Sequence, residues 1–187
     1  MSNENELKDT ANLSSARIAI SGKSGCGNTT VSRLIAQTLE LRFINFTFRN
    51  LAAEKGLTLK DLLELAKADD SWDREVDNRQ VELARENGGC VLGSRLAIWM
   101  LPEADLKVVL NANFETRAKR IQLREGGDLA EIKEFTSARD KQDKERYMRI
   151  YNIDNDDYPF ADLVIDTDTI GPQEIADKII SALKRKM

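Results

Sequence analysis

At 187 residues and a formal net charge of −4, the chain has room for one substantial core and lacks the basic excess of a nucleic-acid or anionic-membrane surface. It has no histidine, which excludes Ser–His and Cys–His triads and most zinc sites, and two cysteines cannot build a disulfide framework. No apolar run approaches the length of a membrane span, so the expectation is a soluble protein of the reducing cytoplasm.

Residues 1–15 are polar, with Asn3, Glu4, Asn5, Glu6, Lys8 and Asp9, and read as a disordered tail before a single domain over 16–187. Ala16–Ser21 is long enough for a buried parallel strand and too short for a helix. The segment Gly22-Lys23-Ser24-Gly25-Cys26-Gly27-Asn28-Thr29-Thr30 follows, in the frame of the phosphate-binding pattern G-x-x-x-x-G-K-[ST]. Glycines let backbone N–H groups approach phosphate oxygens, and Thr29 keeps the hydroxyl that such loops offer to Mg²⁺. Asn28 stands where the pattern has lysine; Lys23, near the loop's start, is either a substitute cation or a solvent-facing lysine. Cys26 reads as loop filler rather than as a nucleophile. Val31, Leu34, Ile35 and Leu39 recur at helical spacing after the loop, so a helix N-terminus is aimed at the phosphate site.

Further strands are expected over 42–45, 89–93, 106–110 and 161–165, with helices over 47–56, 58–68, 71–87, 114–125, 129–150 and 172–185. Strands alternating with helices predict an α/β fold: a three-layer P-loop domain around a five-stranded parallel sheet. Arg117, Arg120 and Arg124 share one helical face, and Arg139, Asp143 and Arg146 another. Guanidinium forks match phosphate oxygens, although interleaved acids also fit an ordinary salt-bridged surface. Gly93-Ser94-Arg95 directly follows the third strand, and ligands of open α/β sheets bind beyond strand carboxyl ends, so Arg95 is placed for a second phosphate. Arg49, after the second strand, is a further candidate.

These stretches resemble the cytidylate kinases, in particular the short archaeal-type branch of the nucleoside monophosphate kinases. The resemblance rests on Ile20-Ser21-Gly22, Phe48-Arg49, Asp77 with Gln80, Gly93-Ser94-Arg95-Leu96-Ala97 with Trp99, and Arg139-Asp140, Asp143, Arg146-Tyr147, from about residue 17 onward. It implies ATP-dependent phosphorylation of CMP or dCMP with Mg²⁺, in a core with a monophosphate-binding insertion at about 45–88 and a lid at about 124–147. By position, Gly22 to Thr30 would hold ATP, with Thr29 at Mg²⁺. Arg49, Arg95 and Arg139 would hold the acceptor phosphate, and Asp77 and Asp143 would contact the nucleoside or anchor those arginines. Arg120, Arg124 and Arg146, with Lys23, would act on the transferring phosphoryl group. A monomer is the simplest expectation.

Two departures stand out. Asn28 supplies hydrogen bonds but no charge, and Leu92 precedes Gly93 where some related kinases carry a metal-binding carboxylate. The alternative reading is therefore a nucleotide-binding regulatory protein of the same fold, with catalysis lost along with the lysine.

Overall fold

The computed structural model describes residues 13–86 and 88–187. The elements, in chain order, are β1 (Arg17–Ser21), α1 (Asn28–Thr38), β2 (Arg42–Ile44), α2 (Phe48–Lys55), α3 (Leu59–Ala66) and α4 (Ser71–Arg85). They continue with β3 (Cys90–Gly93), α5 (Ala97–Met100), β4 (Leu106–Asn111), α6 (Phe114–Glu125), α7 (Leu129–Tyr151), β5 (Leu163–Asp166) and α8 (Pro172–Lys186). All five strands are parallel, in the order β2-β3-β1-β4-β5. The expected α/β, five-stranded P-loop architecture is the one observed.

The side-chain period of two builds the layers. Ile18, Ile20, Val91, Val108 and Leu110 face α1 and α8, where Val31, Ile35, Ile175, Ile179 and Leu183 complete one core. Ala19, Leu92 and Val109 face the opposite way, against Ala84 of α4 and Ala97, Ile98 and Leu101. A separate small core of Phe46, Leu51, Ala52, Leu62 and Val76 holds α2, α3 and the start of α4 together. This third cluster lies within the expected insertion and gives it packing of its own.

Three expectations need adjustment. The short α5 was not anticipated, because four residues are too few to show a helical period. Order begins before Ala16: Leu13 packs on the first core and the Ser14 carbonyl accepts from Gly89 N–H at 3.2 Å. The rest of the expected polar tail, residues 1–12, lies outside the described residues, as does Asn87, where the expected helix 71–87 would end. Helix α4 stops at Arg85, and its Glu86 cap is extended.

Candidate active site

The loop between β1 and α1 is held by its carbonyls. Arg117 of α6 donates to Ser24 O at 3.1 Å, Arg120 to Gly25 O at 3.3 Å, and the Thr167 hydroxyl, after β5, to Cys26 O at 3.2 Å. With these carbonyls tied back, the N–H groups of the first turn of α1, which have no acceptor inside the helix, remain for an anion. Gly25 has φ +87°, and a Cβ there would lie 2.7 Å from Arg117 O, so the close approach of loop and α6 requires glycine. Arg117 is 5% exposed and also forms an ion pair with Asp140 of α7 at 2.5 Å. It is a structural strut joining loop, α6 and α7. The Cys26 thiol is buried, and burial pushes its pKa up, which suits packing and not nucleophilic attack.

Asn28 departs from the sequence expectation in a specific way. Its amide is not free to replace the missing lysine: Nδ2 donates to Ile20 O at 2.9 Å and to Ser94 O at 3.1 Å, while Oδ1 accepts from the Ser32 hydroxyl at 3.0 Å. Asn28 therefore ties the carboxyl ends of β1 and β3 to α1. A Cβ on Gly93 would sit 2.6 Å from Ser32 Oγ and 3.0 Å from Asn28 Oδ1, so the glycine and the Asn–Ser pair fit one another. Ile20 O also accepts the Ser94 N–H, so Asn28→Ala or Asn28→Lys is expected to strip this donor from Ser94 O and the acceptor from the buried Ser32 hydroxyl, costing about 2 kcal/mol. The melting temperature should fall by about 4–8 °C. A thermal melt superimposing on the wild-type curve would show that the tie contributes nothing.

Lys23 also has a partner. Its Nζ lies 2.6 Å from Asp156 Oδ1, and Lys144 of α7 reaches the other oxygen at 3.0 Å. Burial works against the Asp156 carboxylate, yet the hydrogen bonds from these two ammonium groups hold its pKa below the usual range. The ammonium expected near the phosphates is thus occupied on the segment after α7.

The remaining arginines converge. Asp143, buried on α7, forms an ion pair with Arg95 Nε at 3.1 Å and accepts a hydrogen bond from Arg146 Nη2 at 2.8 Å, and Asp73 of α4 lies 3.4 Å from Arg146 Nε. Arg95 also donates to Ser24 Oγ of the loop at 3.0 Å, so it spans the two halves of the site. Arg139 makes no ion pair among the described residues; burial and then the neighbouring Arg95 lower its pKa. With Arg95 and Arg146 paired to Asp143 and Asp73, the unpaired Arg139 guanidinium leaves positive charge for a further anion. Arg49 lines the same cleft from α2, and Arg124, paired with Glu125 at 2.5 Å, lines it from α6. On α4, Asp77 accepts the Tyr151 hydroxyl at 2.6 Å, and burial, opposed by that hydrogen bond, raises its pKa to about 6.

A single cleft of about 1560 Å³ is lined by every one of these residues: the loop from Gly22 to Thr30, Arg49, Asp77, Arg95, Arg120, Arg124, Arg139, Asp143 and Arg146. It also contains groups that spacing did not single out for a role, among them Phe46, Asp73, Gln80, Gln142 and Tyr147. For Asp73 and Gln80 a signal existed: both share the Asp77 face of α4 and are buried, against the polar trend of that helix. No grouping of three or more metal-ligating side chains occurs among the described residues, and Leu92 is fully buried in the core. The Thr29 hydroxyl is exposed in the cleft, as is that of Thr30.

The profile of the cytidylate kinase-like family matches residues 17–169. Cytidylate kinase 2 of Borreliella burgdorferi is 47% identical over 174 residues, covering 91% of this chain and 96% of that protein. The cytidylate kinase of Archaeoglobus fulgidus is 36% identical over 172 residues, covering 91% and 96%. That of Methanocaldococcus jannaschii is 40% identical over 177 residues, covering 90% and 99%. Among solved structures, a shikimate kinase from Acinetobacter baumannii in complex with shikimate superimposes with TM-score 0.63 at 19% identity, covering 92% of this chain and 95% of that one, a likeness of fold. No helix among the described residues is long and apolar enough to cross a membrane. A phosphate-binding loop facing a cluster of arginines, in a sequence alike over nearly its whole length to these enzymes, makes the chain a kinase of the cytidylate kinase-like family.

Proposed function

We propose that the protein transfers the γ-phosphoryl group of ATP to the phosphate of CMP or dCMP, giving ADP and CDP or dCDP. The observation that carries this reading is the position of Arg139 and Arg95 in the same cleft as the loop, Arg95 paired with Asp143 and Arg139 without an ion pair among the described residues. Such a site suits an acceptor that is itself a phosphate monoester. A phosphate oxygen is anionic near neutral pH and needs no general base, in keeping with a chain that has no histidine.

In this reading the N–H groups of the loop and α1 hold the ATP phosphates, and Arg49, Arg95 and Arg139 hold the acceptor phosphate. Asp143 positions Arg95 and Arg146, and Asp73 adds to the hold on Arg146. Arg120, Arg124 and Arg146 neutralise charge on the transferring group, which is most of what phosphoryl transfer asks of a protein. The bond from the γ-phosphorus to the β-bridging oxygen breaks as an acceptor phosphate oxygen bonds to that phosphorus, and ADP leaves. Thr29 would hold Mg²⁺ together with phosphate oxygens of the nucleotide; bound there, the cation screens phosphate charge. Lys23 can contribute only by leaving Asp156. Closure of α6 and α7 over the cleft would exclude water, the competing acceptor.

The two free, buried cysteines agree with a cytoplasmic setting. The test is a coupled assay of purified protein with ATP, Mg²⁺ and a panel of CMP, dCMP, UMP and AMP. Turnover with CMP and dCMP is expected. ADP release that no monophosphate stimulates would overturn the proposal and favour a nucleotide-binding regulator.

A further inference from the structure

The end of the cleft away from the loop carries a second pattern. Gln80 is only 5% exposed, yet its side chain borders the cleft, and no hydrogen-bond partner for its amide exists among the described residues. The side chain is packed but its amide faces the cleft, where its donor and its acceptor are both available to a bound ligand. Asp77 lies three residues earlier on the same face of α4. One of its oxygens takes the Tyr151 hydroxyl and the other makes no hydrogen bond among the described residues. Phe46 and Val76 supply apolar surface beside them.

We propose that Asp77 and Gln80 together read the base of the acceptor nucleotide, selecting a ring that presents an amine beside an acceptor nitrogen. The inference rests on the acceptor reading above and extends it to base choice. Cytosine offers its exocyclic amine to the free Asp77 oxygen and its ring nitrogen to the Gln80 amide. Uracil presents a carbonyl oxygen to the carboxylate and an N–H to the amide. Gln80 adapts to either base by turning its amide over, since it carries both donor and acceptor. Ionised Asp77 cannot adapt, because it only accepts. Asp77 therefore discriminates, and Gln80 orients the ring.

The pair also makes the choice depend on pH. The groups facing Asp77 are Asp73 on its own helix, Tyr151 and Arg146 from α7, and Arg95 after β3, with Arg49 of α2 in the same cleft. Burial outweighs the stabilising contacts and raises the carboxyl to about 6. Above that pH the group accepts; below it the protonated form can donate to the uracil carbonyl. Preference for CMP over UMP should thus be full at pH 7.5–8 and decline as pH falls through 6.

The experiment measures binding of CMP and of UMP by calorimetry, with kcat/KM for each, on wild type, Asp77→Asn and Gln80→Leu. Wild type should favour CMP by about 100-fold or more. Asp77→Asn, whose amide pairs with either base, should reduce that ratio at least about tenfold by gaining affinity for UMP, a change that misfolding cannot produce. Gln80→Leu should weaken both bases and leave the KM for ATP within about twofold of wild type. Equal loss of CMP and UMP in Asp77→Asn, or a wild-type ratio that does not change between pH 5 and 8, would overturn the proposal. Selective CMP binding without turnover would preserve it and overturn the phosphoryl-transfer reading instead.

Discussion

Arg139→Ala is expected to lower kcat/KM for CMP by about 1000-fold while changing the KM for ATP less than about threefold. Arg139 is half-buried, forms no ion pair among the described residues, and has its pKa lowered by burial and by Arg95, effects that the nearby Asp143 only partly offsets. The acceptor phosphate is the group that would balance its charge. Charge-assisted, bidentate contacts are the strongest a guanidinium makes, and removing one is costly. Arg95→Ala should behave differently. Because Arg95 donates to Ser24 of the loop as well as pairing with Asp143, its loss should weaken both nucleotides. Steady-state kinetics with each substrate varied in turn separates the two patterns. If Arg139→Ala impaired ATP as much as CMP, Arg139 would not be an acceptor ligand.

The second large effect concerns the loop without its lysine. Arg120→Ala should reduce kcat by about 100-fold or more, whereas Lys23→Ala should reduce it by less than about threefold. Arg120 already sits against the loop, on Gly25 O, and on the Thr167 hydroxyl at 2.9 Å, so its charge lies beside the phosphate cradle without any rearrangement. Lys23 would first have to give up Asp156, whose two oxygens hold it and Lys144. Single-turnover measurements with saturating ATP and CMP test this ordering. A larger loss in Lys23→Ala than in Arg120→Ala would mean that the lysine leaves Asp156 when nucleotide binds and takes over the missing contact.

These assignments show which parts of the protein its sequence made legible. The sheet was readable because buried parallel strands are short apolar runs and the helices between them keep a 3.6-residue period. The cleft residues on α6 and α7 were readable as faces, since i, i+3, i+4 and i+7 spacing is local. Spacing could not separate Arg117 from Arg120 and Arg124: the buried pair with Asp140 depends on how α7 packs against α6. The role of Asn28 was hidden for a related reason. Its partners are the backbone carbonyls of Ile20 and Ser94, which only the parallel pairing of β1 and β3 brings together. Lys23 and Asp156 meet through loops that carry no periodic signal. Gln80 was visible as a residue, but its lack of a partner is a property of the packed cleft.

The most direct measurement follows labelled phosphate from [γ-³²P]ATP in the presence of CMP, Mg²⁺ and the purified protein. Label is expected in CDP in step with ADP formation, with little free orthophosphate, as transfer to an acceptor phosphate held by the arginines requires. Label appearing only as orthophosphate, at a rate indifferent to CMP, would contradict such transfer.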